Sequence, residues 1–155
     1  MNVIISGITG FIGQNLNNYL KSSFNIIGVT RKNSLKNFIT YSEVSRFLDN
    51  SKAFIHLAGL AHDLKNISNK DEYYEANTEL TKQLFDSFLI SDSRIFIMLS
   101  SVKAVADDVV GVLNEDSEPN PKTHYGKSKL LAESYILSKK IPPNKRVYIL
   151  RPCMI

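Results

Sequence analysis

Residues 2–13, Asn2-Val3-Ile4-Ile5-Ser6-Gly7-Ile8-Thr9-Gly10-Phe11-Ile12-Gly13, decide the fold. An apolar run ends in three glycines at three-residue intervals, and a helical pattern starts at Phe11. A strand, a tight turn and a helix start coincide, and that context separates a phosphate-binding turn from a chance set of glycines. Gly7 suits a sharp turn, Gly10 a close approach of backbone to a pyrophosphate, and Gly13 close packing of helix on strand. The free N–H groups and positive dipole end of the helix start, beginning at Phe11 and Ile12 after the Thr9-Gly10 turn, then face the phosphates. A P-loop is excluded, because no Gly-Lys-Ser/Thr follows.

Working outward, short apolar runs alternate with longer amphipathic stretches. Residues 2–6, 25–29, 53–58, 94–99 and 146–151 read as strands, and helices are expected near 11–22, 43–49, 70–90 and 124–138. In the third helix Leu80, Leu84, Phe85, Phe88 and Leu89 recur at helical spacing. The strands are apolar on both faces, as strands covered by helices on each side should be. The pattern predicts an α/β fold, a doubly wound parallel sheet with helices on both faces. Residues 102–123, with Asp107, Asp108, Gly111, Pro119 and Pro121, read as a long loop of the kind that usually serves function.

Composition narrows the classes. The 155 residues make one domain, expected to run from 1 to 155, and 43% hydrophobic with 22% charged residues suits a globular chain rather than a disordered one. The net charge of +4 is mild, and Lys21, Lys52, Lys65, Lys82 and Lys139 are scattered, so nucleic acid is not an expected partner. Cys153, the one cysteine, excludes an internal disulfide and reads as a small core residue of an apolar strand. No Cys/His cluster suggests metal, and His56 and His124 lack a third ligand. No signal peptide or bilayer-length apolar run is visible, so the chain reads as cytoplasmic with no membrane partner.

Two further stretches carry chemistry. The second strand ends Val29-Thr30-Arg31-Lys32, without the carboxylate that holds a ribose 2′-hydroxyl in NAD-binding domains. Arg31 can fork onto a phosphate and Lys32 adds a second positive charge, so this pair favours the 2′-phosphate of NADP. Tyr125-Gly126-Lys127-Ser128-Lys129 opens the fourth long helix and puts Tyr125 and Lys129 on one face, a turn apart. A neighbouring ammonium, aided by an oxidised nicotinamide, favours the phenolate. A depression of about 3 pH units corresponds to roughly 4 kcal/mol and would suit Tyr125 to proton transfer near neutrality. The fourth long strand ends Leu99-Ser100-Ser101, at the carboxyl edge where open α/β sheets bind ligands.

In this order and on these elements, the motifs resemble those of the extended short-chain dehydrogenases/reductases, specifically the nucleotide-sugar epimerase/dehydratase/reductase family. The resemblance covers the whole chain: GITGFIG at 7–13, HLAG at 56–59, Asn77, SSVKA at 100–104, THYGKSK at 123–129 and LRPCMI at 150–155. It implies a Rossmann-type fold, NADP (preferred) or NAD as cofactor, and a nucleotide sugar, UDP-linked, as substrate. It implies Ser101, Tyr125 and Lys129 as the catalytic triad, Lys129 also bonding the nicotinamide ribose. The backbone at Leu57, Ala58 and Gly59 would line the cofactor ribose. Asn77 shares a face with Leu80, Leu84 and Phe88, so it should be partly buried and needs a partner, either as the family's cofactor-side asparagine or as a satisfied core asparagine.

Two departures bear on function. Dehydratases of the family carry an Asp-Glu pair where this chain has Val102-Lys103, which disfavours dehydration. Relatives continue past the LRP strand into a substrate lobe, so the chain is expected to be the front part of such an enzyme, inactive alone. Its uncovered strand, ending at Ile155, is expected to promote self-association. The full-length form is expected to be a homodimer. The expected reaction is hydride transfer at C4 of the sugar, and a 4-ketoreductase is preferred to a 4-epimerase because NADP suits an exchangeable reduced cofactor. The alternative is a non-catalytic dinucleotide-binding module or redox sensor, which has no need of the serine, tyrosine and lysine together.

Overall fold

The computed structural model describes residues 1–31, 38–60, 70–108 and 111–153. The strands are β1 (Asn2–Ser6), β2 (Asn25–Thr30), β3 (Phe38–Thr40), β4 (Ser51–His56), β5 (Ile95–Leu99) and β6 (Arg146–Leu150). They form one six-stranded sheet in the order β3-β2-β1-β4-β5-β6. The paired registers β1–β2, β1–β4, β2–β3 and β4–β5 are all parallel. The order reverses direction beside β1, as in a doubly wound Rossmann sheet. The helices are α1 (Phe11–Leu20), α2 (Val44–Leu48), α3 (Asp71–Tyr73), α4 (Leu80–Ile90) and α5 (His124–Leu137). None of the described helices is long and apolar enough to cross a membrane.

The chain divides into two compact units. The first comprises Met1–Ala58, Gln83–Met98 and Lys140–Tyr148 and holds the body of the sheet. Its sheet is apolar on both faces, as the strand patterns predict. On one face Val3, Ile5, Ala53 and Ile55 pack with Ile8 and with Leu16 and Leu20 of α1. On the other, Phe54, Phe85 and Phe88 surround Phe96, with centroids 5.5, 5.0 and 5.3 Å from its ring. Offset and edge-on aromatic pairs of this kind add to the burial of their area. The second unit comprises Gly59–Lys82, Leu99–Lys139 and Ile149–Ile155. In it α5 packs against a π-helical turn, Tyr74–Glu79, and a 3-10 turn, Val102–Ala104.

The sequence reading needs four corrections. Strand β3 was not expected: three residues are too few to show alternation, and sheet pairing with β2 makes the strand. Strand β4 begins and ends two residues earlier than expected, leaving Leu57 and Ala58 in the loop beyond it. The expected helix 70–90 is interrupted by the π-turn, which lets the neighbours Asn77 and Thr78 both point inward and bond Ser128. Strand β6 ends at Leu150 rather than running on, and Cys153 lies beyond it, exposed rather than in the core. Arg146, Tyr148 and Leu150 are exposed along this edge strand, while Met154 and Ile155 lie outside the described residues.

One buried cation closes the end of α4. The Lys145 ammonium donates to the carbonyls of Phe88, Ser91 and Ser93 at 2.9, 2.6 and 2.6 Å. It also sits 4.4 Å from the Phe88 ring centroid. All three donors of the ammonium are used, on one carbonyl of the last turn of α4 and two of the segment that follows it. Replacing Lys145 with Met should lower stability by about 3 kcal/mol, since buried carbonyls lose charge-assisted bonds. Urea unfolding should show a lower midpoint with an unchanged slope.

Candidate active site

The glycine turn belongs to the first unit. Gly7 has φ +71, and a Cβ there would lie 2.7 Å from the Ala58 nitrogen, so the turn needs glycine twice over. At Gly13 a Cβ would lie 2.6 Å from Ile8 Cα, so α1 sits directly on the turn. The Gly10 N–H donates to the Gly7 carbonyl at 3.0 Å and the Gln14 amide to the Thr9 carbonyl at 2.7 Å. Gly10 caps α1 without a side chain, Thr9 and Phe11 are exposed, and Ile12 is half-buried. The first turn of α1 therefore keeps its N–H groups free of side-chain caps, and the cradle fits a pyrophosphate.

Sequence reading missed the pair that braces this turn. Ser6 and His56 are buried at the ends of β1 and β4, their Oγ and Nδ1 2.6 Å apart. The Ala58 N–H points to Ser6 Oγ at 3.4 Å, and the Leu57 N–H donates to the Ser6 carbonyl at 3.1 Å. The only sequence signal was a histidine in an apolar strand. Thr30 closes β2, Arg31 beyond it is exposed, and Lys32 lies outside the described residues. The Arg31 charge draws down the Tyr41 phenol, which burial, the larger effect, pushes up.

The second unit gathers the other predicted residues. Ser101 is buried, caps the 3-10 turn by accepting the Lys103 N–H at 3.2 Å, and is hydrogen-bonded to Tyr125. Tyr125 also meets Tyr73 edge-on, with centroids 6.5 Å apart. Lys129 is 5% exposed and donates to the Leu99 carbonyl at 3.0 Å. Burial lowers its pKa to about 8, and the Glu133 carboxylate opposes that fall. A side chain on Gly59 would begin 2.7 Å from Asn77 Oδ1 and 3.1 Å from Lys129 Nζ, so these three residues converge.

Two expectations change. The expected lowering of the Tyr125 phenol by Lys129 is not what the protein's own groups do. Burial raises Tyr125, and the opposing pull comes from the Ser101 hydrogen bond, while the Lys129 ammonium donates to the Leu99 carbonyl. Asn77 is fully buried rather than partly so. Its amide accepts from the Leu60 N–H at 2.8 Å and donates to the Leu60 carbonyl at 3.1 Å and to Ser128 at 3.0 Å. These bonds brace the segment at Gly59 and Leu60.

Comparison with known proteins places this geometry among relatives. Over 99% of the chain, 28% of residues match UDP-glucose 4-epimerase of Vibrio cholerae, of which the match covers 51%. The chain spans about half the length of the curated relatives it matches. The structure of MoeE5 with UDP-glucuronic acid and NAD superimposes with a TM-score of 0.80 at 25% identity, over 96% of this chain and 52% of that one. A human epimerase family protein solved with NADPH shares the fold at a TM-score of 0.80 and 20% identity, over 97% and 53%. The profile of the NAD dependent epimerase/dehydratase family matches residues 3–155, and the chain belongs to that family.

Proposed function

We propose that the chain is the cofactor-binding and hydride-transfer part of an oxidoreductase or epimerase acting at C4 of a UDP-linked sugar. The hydrogen bond between Ser101 and Tyr125, with the Lys129 ammonium buried one helical turn on, carries this reading. The similar epimerases that act on UDP sugars support the substrate class.

The bound nicotinamide would supply or accept the hydride. Tyr125 would move the proton at the C4 oxygen, and burial keeps it as the neutral phenol, the form that donates to a developing alkoxide. Ser101 would orient that oxygen, and Lys129 would hold the nicotinamide ribose. The turn from Gly7 through Thr9, Gly10, Phe11, Ile12 and Gly13 would hold the pyrophosphate. Leu57, Ala58 and Gly59 would shape the ribose contact, and Thr30, Arg31 and Lys32 the adenosine end. Among these cations Arg31 favours NADP, and with it a 4-ketoreductase; the naming of relatives as 4-epimerases favours epimerisation. A homodimeric, cytoplasmic full-length enzyme, distinct from a redox sensor, completes the reading on the resemblance alone.

The cofactor preference can be measured on this chain. NADPH should bind more tightly than NADH, by a margin that shrinks with added salt because the contact is electrostatic. Replacing Arg31 with Ala should cost about 1–3 kcal/mol for NADPH and little for NADH. Calorimetric titrations giving equal affinities would refute the preference.

The chemical assignment needs the full-length protein. Tyr125→Phe should reduce kcat by about 100- to 10,000-fold, the range for loss of a positioned acid–base group. Unchanged turnover would refute the assignment of Tyr125 as the proton-transfer group. With a UDP-4-keto-sugar and NADPH a reductase consumes the nicotinamide absorbance, whereas with a 4-hydroxy UDP-sugar an epimerase interconverts the 4-epimers without net change in it.

A further inference from the structure

Tyr125, Lys129 and Glu133 stand four residues apart, so they form a column on one face of α5. Each grips one of three consecutive residues at the end of β5. Tyr125 bonds Ser101, Lys129 the carbonyl of Leu99, and Glu133 the hydroxyl of Ser100. Glu133 is fully buried, and its carboxylate is forked by Arg151, with Nε 3.1 Å from both oxygens and Nη2 2.6 Å from Oε2. The same stretch is tied by its backbone as well. The Ser100 N–H donates to the Leu150 carbonyl at 2.7 Å and the Val102 N–H to the Pro152 carbonyl at 3.1 Å.

We propose that Glu133, clamped by Arg151, is a positioning residue of this site, fixing the placement of Ser101 through Ser100 and holding the charge of Lys129. The proposal rests on the reading of Ser101, Tyr125 and Lys129 as the reacting group. A carboxylate that served packing alone could be replaced by an apolar side chain of like volume with little loss. Here each oxygen has a directed task, and the bonded hydroxyl belongs to the residue next to Ser101. Among the described residues, the titratable groups on the Lys129 face of α5 are Tyr125 and Glu133, Glu133 is paired with Arg151 beyond β6, and Glu115 lies within electrostatic reach of Arg151. Asn77 and the Leu99 carbonyl complete its surroundings. Among the described residues, Glu133 is the carboxylate whose charge opposes the burial-driven fall of the Lys129 pKa.

The test uses the 155-residue chain, lysine side-chain NMR titration and amide hydrogen exchange. Glu133→Gln keeps the shape and an oxygen for Ser100 but removes the charge and leaves the Arg151 cation without its carboxylate partner. Its Lys129 midpoint should fall by about one pH unit or more. The Val102 and Lys103 amides should exchange at least about tenfold faster. Ser100→Ala leaves the Glu133–Arg151 pair intact, so it should speed the same amides without moving Lys129. This milder variant decides the question if Glu133→Gln fails to fold. An unmoved Lys129 midpoint in folded Glu133→Gln, or unchanged exchange in Ser100→Ala, overturns the proposal. NADPH titration of the unmodified chain judges the functional reading separately: failure to bind would count against that reading while the other measurements still judge Glu133.

Discussion

Where β5 ends, three polar groups in succession need partners, and the face of α5 is built to supply them. Buried carbonyls and hydroxyls are costly to leave unpaired. That demand explains a helix whose burial runs against hydropathy. Helix α5 buries Ser128, Lys129 and Glu133 while leaving Leu131 and Leu137 49% and 71% exposed. Ala132 and Ile136 supply apolar contact on the buried side, and the fastening to β5 is polar. The consequence is that the Ser101 hydroxyl and the Tyr125 phenol are held by the same contacts that hold the helix.

Burying a lysine and a glutamate on one helix face is tolerable only because a third charge joins them. Removing an isolated charge from water costs several kcal/mol even after relaxation. Glu133 spreads its charge over a bidentate arginine and a hydroxyl, the arrangement in which carboxylate bonds are strongest. Lys129 has the weaker position, with one carbonyl and a carboxylate a turn away, and its pKa accordingly drops to about 8. Arg151, raised by its bonds to Glu133, stays charged throughout.

In the first unit the governing constraint is steric. The backbone after β1 and the backbone after β4 approach so closely that Gly7 has no room for a side chain. The Ser6–His56 pair then satisfies the buried polar atoms on either side of that contact. Sheet burial on both faces supplies the rigidity behind the turn, with aliphatic packing on one side and a cluster of four phenylalanines on the other.

Much of this was legible locally. Strands β1, β2, β5 and β6, the start of α5 and the glycine turn are each defined by residues adjacent in sequence, and periodicity within a short window reports them. The sequence by itself therefore determined the parallel α/β class, the phosphate-type turn and the pairing of Tyr125 with Lys129 on one helix face. Tertiary structure decided what depends on distant partners. It made a strand of Phe38–Thr40 by pairing it with β2, and it widened one helical turn so that Asn77 and Thr78 both reach Ser128. It also reversed the direction of the Tyr125 shift, because burial and the direction of the Lys129 ammonium are set by packing and not by spacing. Glu133 was invisible for the same reason: its partners Ser100 and Arg151 stand 33 residues before it and 18 after, and only the folded chain brings their charges and hydroxyl together.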